Sequence, residues 1–341
     1  MKNTRIVVTG CAGLLASRLI PRLTQNGNRV VGIDNLALGS KRNLESILGD
    51  PNFTFIEADI LSGNTVQKAC AGAELILHFA SDKIARYSSS LRTLDVNVRG
   101  TELVLDAAKE CGARVIFGST DEVYGKNADL PLGEESMLVY GRSDSNRWSF
   151  AVSKMFGEHL CLAYLEEFKV PITIIRYSGG YGPTHVASWA NSPVNVFIEA
   201  CLRREPLPIH GDGAQTRSFT YIDDLVEGTL MVMESSALNG EIVNLGSDNE
   251  ISIVNLAYLV WRATKSTGKP DLQFVPYTDF SNLYEDVPHR VVEYSKARYL
   301  LGYSPKITVE AGVHKLVEWY RQHEEELKKS PKEKDPVSKK S

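Results

Sequence analysis

The sequence predicts an α/β fold: a doubly wound parallel sheet followed by a smaller C-terminal lobe of mixed α/β structure. Three observations predict it. Short apolar runs alternate with amphipathic segments through the first half, those runs are continuously apolar, and the regularity fades after about residue 180. Continuous apolar strands separated by helices indicate a parallel sheet covered on both faces.

The elements follow in order. "RIVVTG", "RVVGID", "FTFIEAD", "ELILHFA", "RVIFGS" and "PITIIRY" are short, rich in Val and Ile, and bounded by polar or Gly residues, so each reads as a strand. Between them, "LLASRLIPRLTQNG" and "NVRGTELVLDAAKECG" read as amphipathic helices, each ending in a Gly suited to a C-cap. Beyond residue 180, "YGPTHVASWANSP" and "REPLPIHGDGAQTRSF" are irregular segments of the kind that line a cleft. No repeat interrupts the chain before "EEELKKSPKEKDPVSKKS", a lysine-rich stretch nearly free of apolar residues. It reads as a fraying helix end followed by a disordered tail at 326–341.

Composition narrows the function classes. The 341 residues are 43% hydrophobic and 23% charged, as in a soluble globular protein. A net charge of −4 offers no basic field for nucleic acid or a membrane surface. The five cysteines, Cys11, Cys70, Cys111, Cys161 and Cys201, are odd in number, widely spaced and without a CxxC pair. Free thiols in a reducing compartment, and hence a cytoplasmic location, are expected. No signal-peptide pattern or membrane-spanning run occurs. None of the seven histidines has metal-ligand spacing, so no metal is expected, and His78 and His210 read as satisfied structural histidines.

The first chemical signal is "VVTGCAGLLA". Gly10 and Gly13, with Ala16 three residues later, stand between a strand and a helix that starts near Leu14 and Leu15. Small residues there let the backbone approach a diphosphate, and the helix N-terminus supplies free N–H groups. A glycine triplet alone is often only a turn. Here the next strand ends in Asp34, beside Asn35, where a carboxylate can bond ribose hydroxyls and repel a 2′-phosphate. NAD is therefore favoured over NADP, with Arg42 the one feature pointing the other way.

A second signal is "FGSTDEVYG", which sets Ser119, Thr120, Asp121 and Glu122 at a strand's C-terminal edge, where ligands sit in open parallel sheets. A carboxylic acid can protonate a leaving hydroxyl, and a carboxylate can take a proton alpha to a ketone. The third is "NRWSFAVSK", in which Phe150 and Lys154 share a helix face one turn apart. A lysine beside a phenol could run proton chemistry, whereas a lysine beside a plain ring cannot.

Taken in order, TGxxGxxA, Asp34, "ADI" at 58–60, "HFAS" at 78–81, Asn97, "STDEVYG" at 119–125, Lys154 and "RY…YGP" at 176–183 resemble the extended short-chain dehydrogenase/reductases. These are nucleotide-sugar epimerases, dehydratases and decarboxylases, and the match runs from residue 6 to about 320. The resemblance implies a Rossmann-type NAD domain over 1–180 with returning segments near 215–245, and a lobe for the nucleotide sugar over 181–325. It implies that Asp59 and Ile60 hold the adenine, and that Phe79, Ala80 and Ser81 line the way to the nicotinamide. Lys83 and Asn97 would join them, Lys154 would bind the nicotinamide ribose, and Tyr177 would lie near the cofactor. Thr120 would meet the sugar 4-hydroxyl. Asn195, Arg217 and Arg290 would meet the nucleotide diphosphate, with Leu207, Pro208 and Ile209 packed on the base. As isolated residues, the arginines could equally be surface ion pairs. A homodimer formed through helices around 91–111 and 150–168 is also implied.

Several positions depart from the family pattern. Gly179 replaces the Asn of RxxNxYGP, and Glu293 replaces the commoner Asp beside "SKA". Most consequential, the family reads YxxxK where this chain has Phe150 and Lys154. That tyrosine normally takes the proton of the sugar hydroxyl, a role worth about 10²–10⁴-fold in rate. Three explanations stand: a Tyr→Phe change made to trap a substrate, natural rerouting through Thr120, Glu122 or a water, or a sugar-nucleotide binder without catalysis. "NRWSFAVSK", "QTRSFT" and "YEDVPHR" resemble the UDP-glucuronate decarboxylases, whereas "STDEVYG" leans toward the 4,6-dehydratases, whose Asp and Glu act as acid and base. The substrate expected is therefore a UDP- or dTDP-linked hexose oxidised at C4, with decarboxylation foremost, dehydration next, and simple 4-epimerisation open.

Overall fold

A computed structural model of the chain describes residues 1–83, 89–185 and 192–324. The expected tail at 326–341 and the middle of "YGPTHVASWANSP" lie outside the described residues.

All six expected runs form strands: β1 (Arg5–Thr9), β2 (Arg29–Asp34), β3 (Phe53–Glu57), β4 (Leu75–His78), β5 (Arg114–Thr120) and β6 (Ile172–Tyr177). Four short strands follow: β7 (Gly180–Tyr181), β8 (Leu207–His210), β9 (Thr216–Ser218) and β10 (Thr220–Tyr221). The chain then returns to the large sheet as β11 (Ile242–Leu245), a four-residue strand too short to stand out in the sequence. The seven strands lie in the order β11-β6-β5-β4-β1-β2-β3. Every neighbouring pair is parallel. Strand order reverses between β1 and β4, so their carboxyl ends flank the crevice where such sheets bind ligands.

The alternation of strand side chains explains the two covered faces. Ile6 and Val8 of β1 point into one apolar cluster, while Val7 points into another. Helices α1 (Leu14–Gln25) and, later in the chain, α7 (Ile222–Glu234) pack on the first face. The second face carries α2 (Gly63–Cys70), the short α3 (Ser90–Leu94), α4 (Gly100–Cys111) and α5 (Ser149–Phe168). Both expected glycine stops are present. Gly112 caps α4 at φ 71°, and α1 ends just before Gly27, at φ 81°.

The remaining elements build the lobe. They are α6 (Pro193–Arg203), β12 (Glu250–Ser252), α8 (Ile253–Ala263), β13 (Leu272–Val275), β14 (His289–Arg290), α9 (Ser295–Leu301) and α10 (Val309–Gln322). Its strands form two small sheets, β12-β9-β14 and β13-β8, and so carry the 207–218 and 286–290 segments to the crevice.

Candidate active site

The crevice begins at the glycine turn. Gly10 has φ 70°, and a Cβ there would sit 2.7 Å from the backbone nitrogen of Ala80. Gly13 donates to the Gly10 carbonyl at 3.1 Å and opens α1 without any side-chain cap. First-turn N–H groups of an uncapped helix are anion donors. At the end of β2, Asp34 accepts from Ala12 N at 2.9 Å and from Leu36 N at 2.8 Å. Burial pushes this carboxyl up, and the two N–H donors oppose the shift. Asn35 donates to Asp59 at 2.8 Å, tying the ends of β2 and β3 together. A bare backbone turn, an uncapped helix and a carboxylate in one cavity fit a dinucleotide's pyrophosphate and ribose.

Further along, Ser119 and Thr120 end β5, and Asp121–Tyr124 turns as a 3₁₀ helix because Thr120 Oγ1 accepts from Glu122 N at 3.2 Å. Thr120 also donates to Asp121 at 3.4 Å, and Ser178 donates to the other Asp121 oxygen at 2.8 Å. Arg147 is buried behind the pair and donates to Glu122 at 2.8 Å. Asp286 faces Arg217 at 2.9 Å and Arg147 at 3.8 Å.

The two expected anion-binding arginines differ. Arg217 is committed, donating to the carbonyls of Thr216 and Val287, each at 2.7 Å, and to Asp286. The Arg290 side chain makes no hydrogen bond among the described residues. It meets Asp121 at 3.5 Å through Nε and Glu122 at 3.8 Å as long ion pairs, and that buried Nε has no hydrogen-bond partner.

Helix α5 supplies the third part. Phe150 is 7% and Lys154 3% exposed, and both line the cavity. The Lys154 ammonium lies 4.2 Å from the centre of the Phe117 ring. Desolvation lowers its pKa from 10.5 to about 8, against opposing contributions from Cys161 and Glu158. Glu158 is itself engaged: it accepts from Ser119 at 2.5 Å and from Arg176 at 3.0 and 2.7 Å.

One cavity of about 470 Å³ gathers the expected cofactor and substrate residues, from Gly10, Leu14, Leu15 and Asp34 through Ser81, Lys83 and Ser119 to Tyr177, Gly179, Arg217 and Arg290. The exceptions correct the sequence expectation. Asn97 is buried beside the cavity, where it clamps Asp82 through both backbone groups and donates to Ser153. Asn195 lies inside the lobe, donating to the Gly182 carbonyl at 3.0 Å and to Tyr320 at 3.2 Å. Leu207 and Ile209 point into the apolar core, and Pro208 does not line the cavity, which is lined instead by His210 and Gln215. His78 is a satisfied structural histidine, paired with Thr9 at 2.7 Å and Thr101 at 3.0 Å, and burial pushes its pKa down to about 3. His210, by contrast, faces the cavity. Among the described residues no His, Cys, Asp or Glu cluster could hold a metal.

Gly179 has a steric reason for departing from the family's Asn. Its φ is 57°, and any Cβ there would collide with the Ser218 carbonyl oxygen. Sequence reading missed Arg147, Ser178 and Asp286 as site residues. Arg147 lay in plain view inside "NRWSF", but nothing local marks its partner.

This combination of sheet, glycine turn and carboxylate-bearing strand end defines an NAD-dependent enzyme that modifies nucleotide sugars. The chain belongs to the NAD dependent epimerase/dehydratase family, whose model matches residues 6–246. It is 33% identical to UDP-N-acetyl-alpha-D-glucosaminuronate decarboxylase of Bacillus cytotoxicus, over 94% of this chain and 98% of that protein. Human dTDP-D-glucose 4,6-dehydratase is 32% identical, over 94% of this chain and 90% of its own. A solved structure of a tyrosine-to-phenylalanine mutant of UDP-glucuronic acid 4-epimerase from Bacillus cereus, with a fluorinated UDP-glucuronic acid and NAD, superimposes with a TM-score of 0.83. That protein is 29% identical, and the match covers 93% of this chain and 99% of the other.

Proposed function

We propose that this enzyme decarboxylates a UDP-linked uronic acid through a ketone at C4 of the sugar. Arg290 carries the reading. A trianionic substrate must bring its sugar carboxylate close to Asp121 and Glu122, and that approach needs a compensating cation with donors to spare. The Arg290 guanidinium makes no hydrogen bond among the described residues, whereas Arg217 already spends three donors on Thr216, Val287 and Asp286. Forked guanidinium donors match a carboxylate. The two neighbouring acids disfavour a third carboxylate, which favours its loss as carbon dioxide once C4 is a ketone.

Bound NAD would supply a reversible hydride acceptor for oxidation at C4. Gly10, Gly13 and the α1 N-terminus would hold its pyrophosphate, Asp34 a ribose, and Lys154 the nicotinamide ribose. Thr120 orients the 4-hydroxyl, and Glu122, held by Arg147, stands as the group that moves the proton at C5. Dehydration requires Asp121 to present a proton, but this carboxylate already accepts from Ser178 and faces Arg290. That arrangement supports decarboxylation over the dehydratase reading. Incubation with UDP-glucuronate and UDP-N-acetylglucosaminuronate, followed by mass spectrometry, tests it: loss of carbon dioxide supports the proposal, and loss of water refutes it.

The division into a 1–180 cofactor domain, completed by a returning segment, and a 181–325 lobe belongs to the same reading. The reach of β11 back to the large sheet supports it. Free cysteines agree with a cytoplasmic location. Leu91, 76% exposed, and Phe156, 48% exposed, leave α3 and α5 with apolar surface suited to a homodimer. A single-chain mass by light scattering would refute that assembly.

A further inference from the structure

Six charged side chains alternate in sign at the cavity wall, with Arg147 buried behind the other five. Arg217 pairs with Asp286 at 2.9 Å, and Asp286 faces Arg147 at 3.8 Å. Arg147 donates to Glu122 at 2.8 Å, Glu122 faces Arg290 at 3.8 Å, and Arg290 faces Asp121 at 3.5 Å. Three guanidinium groups thus balance three carboxylates, and an added anion upsets the balance. The two ends of the row differ. Arg217 is tethered by the carbonyls of Thr216 and Val287. At the other end Arg290 holds both acids through long contacts, and the two hydrogen bonds to Asp121 come from uncharged hydroxyls, Thr120 and Ser178. Glu122 keeps its close bond to Arg147 wherever Arg290 turns.

We propose that a uronate substrate loads the Asp121–Glu122 pair with one proton as it binds, an inference resting on the pairing of Arg290 with the sugar carboxylate above. The substrate carboxylate takes the Arg290 donors and sets a further negative charge beside the pair. Crowded carboxylates favour protonation of one of them. The proton comes from solvent and enters on Asp121, whose charge Arg290 had balanced; thereafter it belongs to the pair. Decarboxylation consumes it. As carbon dioxide leaves, the C5–C6 electron pair enters the C4–C5 enolate. That electron pair then forms the C5–H bond with the stored proton, delivered by Glu122, and both carboxylates are charged again. A hexose with a neutral C6 leaves Arg290 on Asp121 and loads no proton, so the acid that dehydration needs is not formed. The pair therefore reads the charge at C6.

The groups facing the pair from other elements do not replace Arg290. Arg147, in the turn before α5, is divided between Glu122 and Asp286. Arg217, on β9, is committed to Asp286 and two carbonyls. Lys83 after β4, Lys154 on α5 and His210 at the end of β8 line the same cavity, with the Lys154 ammonium over the Phe117 ring.

The test uses the full chain loaded with NADH, on which a sugar hydroxyl cannot be oxidised and no turnover occurs. Calorimetry in two buffers of different ionisation enthalpy, near pH 6 and so roughly two units above the ordinary carboxylate range, reads proton uptake. UDP-glucuronate should take up about half a proton or more, and UDP-glucose, which differs in its neutral C6, about none. Between about pH 6 and 8 the Kd for UDP-glucuronate should rise by up to about tenfold per unit, while that for UDP-glucose stays flat. Asp121→Asn should bind UDP-glucuronate without the uptake. Equal uptake for the two ligands, none for either, or unchanged uptake in Asp121→Asn overturns the proposal. The comparison of ligands on the unaltered chain decides the matter even if the variant does not fold. UDP-glucuronate left unbound where UDP-glucose binds overturns the uronate reading itself, and this proposal with it.

Discussion

Arg147 and Glu122, twenty-five residues apart, form a 2.8 Å ion pair with the arginine almost fully buried. The same guanidinium faces Asp286 at 3.8 Å, so one cation lies against both a candidate proton-moving group and the Asp286 carboxylate that lines the cavity. Breaking a buried pair typically costs about 3–5 kcal/mol when it leaves a charge uncompensated, but Glu122 keeps Arg290 at 3.8 Å and Asp286 keeps Arg217 at 2.9 Å. Arg147→Met is therefore expected to lose stability by less than that, read by denaturant midpoint. Arg147→Lys should recover part of the stability while lacking the forked geometry.

The contrast between the two cavity arginines yields a second prediction. Arg290→Met should weaken binding of a UDP-uronate by about 10–150-fold, the equivalent of a charged hydrogen bond of ~1.5–3 kcal/mol. Binding of UDP itself should barely change. Arg217→Met should instead lower thermal stability, because its guanidinium ties β9 to the Asp286–Val287 segment. Calorimetry with UDP and UDP-glucuronate on each variant separates the two roles.

Glu158 is a structural keystone beneath the reacting strand end. It receives two Arg176 bonds and one from Ser119, all buried. Glu158→Gln removes the charge but keeps the shape, stranding Arg176. A loss of about 3–5 kcal/mol in denaturant unfolding is expected. A change under ~1 kcal/mol, the range typical of exposed ion pairs, would show that Arg176 finds another partner.

Lys154 gives stability a pH dependence whose sign can be worked out. Its folded pKa of about 8 lies below the ordinary 10.5. Below pH 8 the folded chain must carry a buried ammonium. Between about 8 and 10.5 the unfolded chain keeps a proton that the folded chain has released, so stability rises with pH. Relative to Lys154→Met, the NAD-free chain should therefore gain up to about 1.4 kcal/mol per pH unit across that window. The subtraction removes the buried tyrosines common to both, and chemical denaturation at several pH values checks the slope.

How far the sequence could be read depended on whether a signal was local. Gly10, Gly13 and Asp34 were legible because strand, turn and helix follow one another directly. Asp121 and Glu122 were legible because they sit at a strand's end. The Arg147–Asp286–Arg217 cluster was not, because it joins three distant segments and each residue alone passes for a surface charge. Asn195 misled because its segment reads as cleft-like. In the fold Ser192 caps α6, Pro193 starts it, and Asn195 faces inward toward Tyr320. Leu207 and Ile209 misled for the opposite reason, since apolar residues near a site serve the core as readily as a ligand. The strand β11 escaped notice because four residues flanked by "NGE" and "GSDN" offer too short a period.

The most direct test of the central claim is the mass of the product made from UDP-glucuronate by the NAD-loaded chain and by Phe150→Tyr. The restored phenol should raise the rate by about 10²–10⁴-fold without changing the product. Both proteins are predicted to release carbon dioxide and yield a UDP-pentose. A product that has lost water, or one of unchanged mass inverted at C4, would contradict the account.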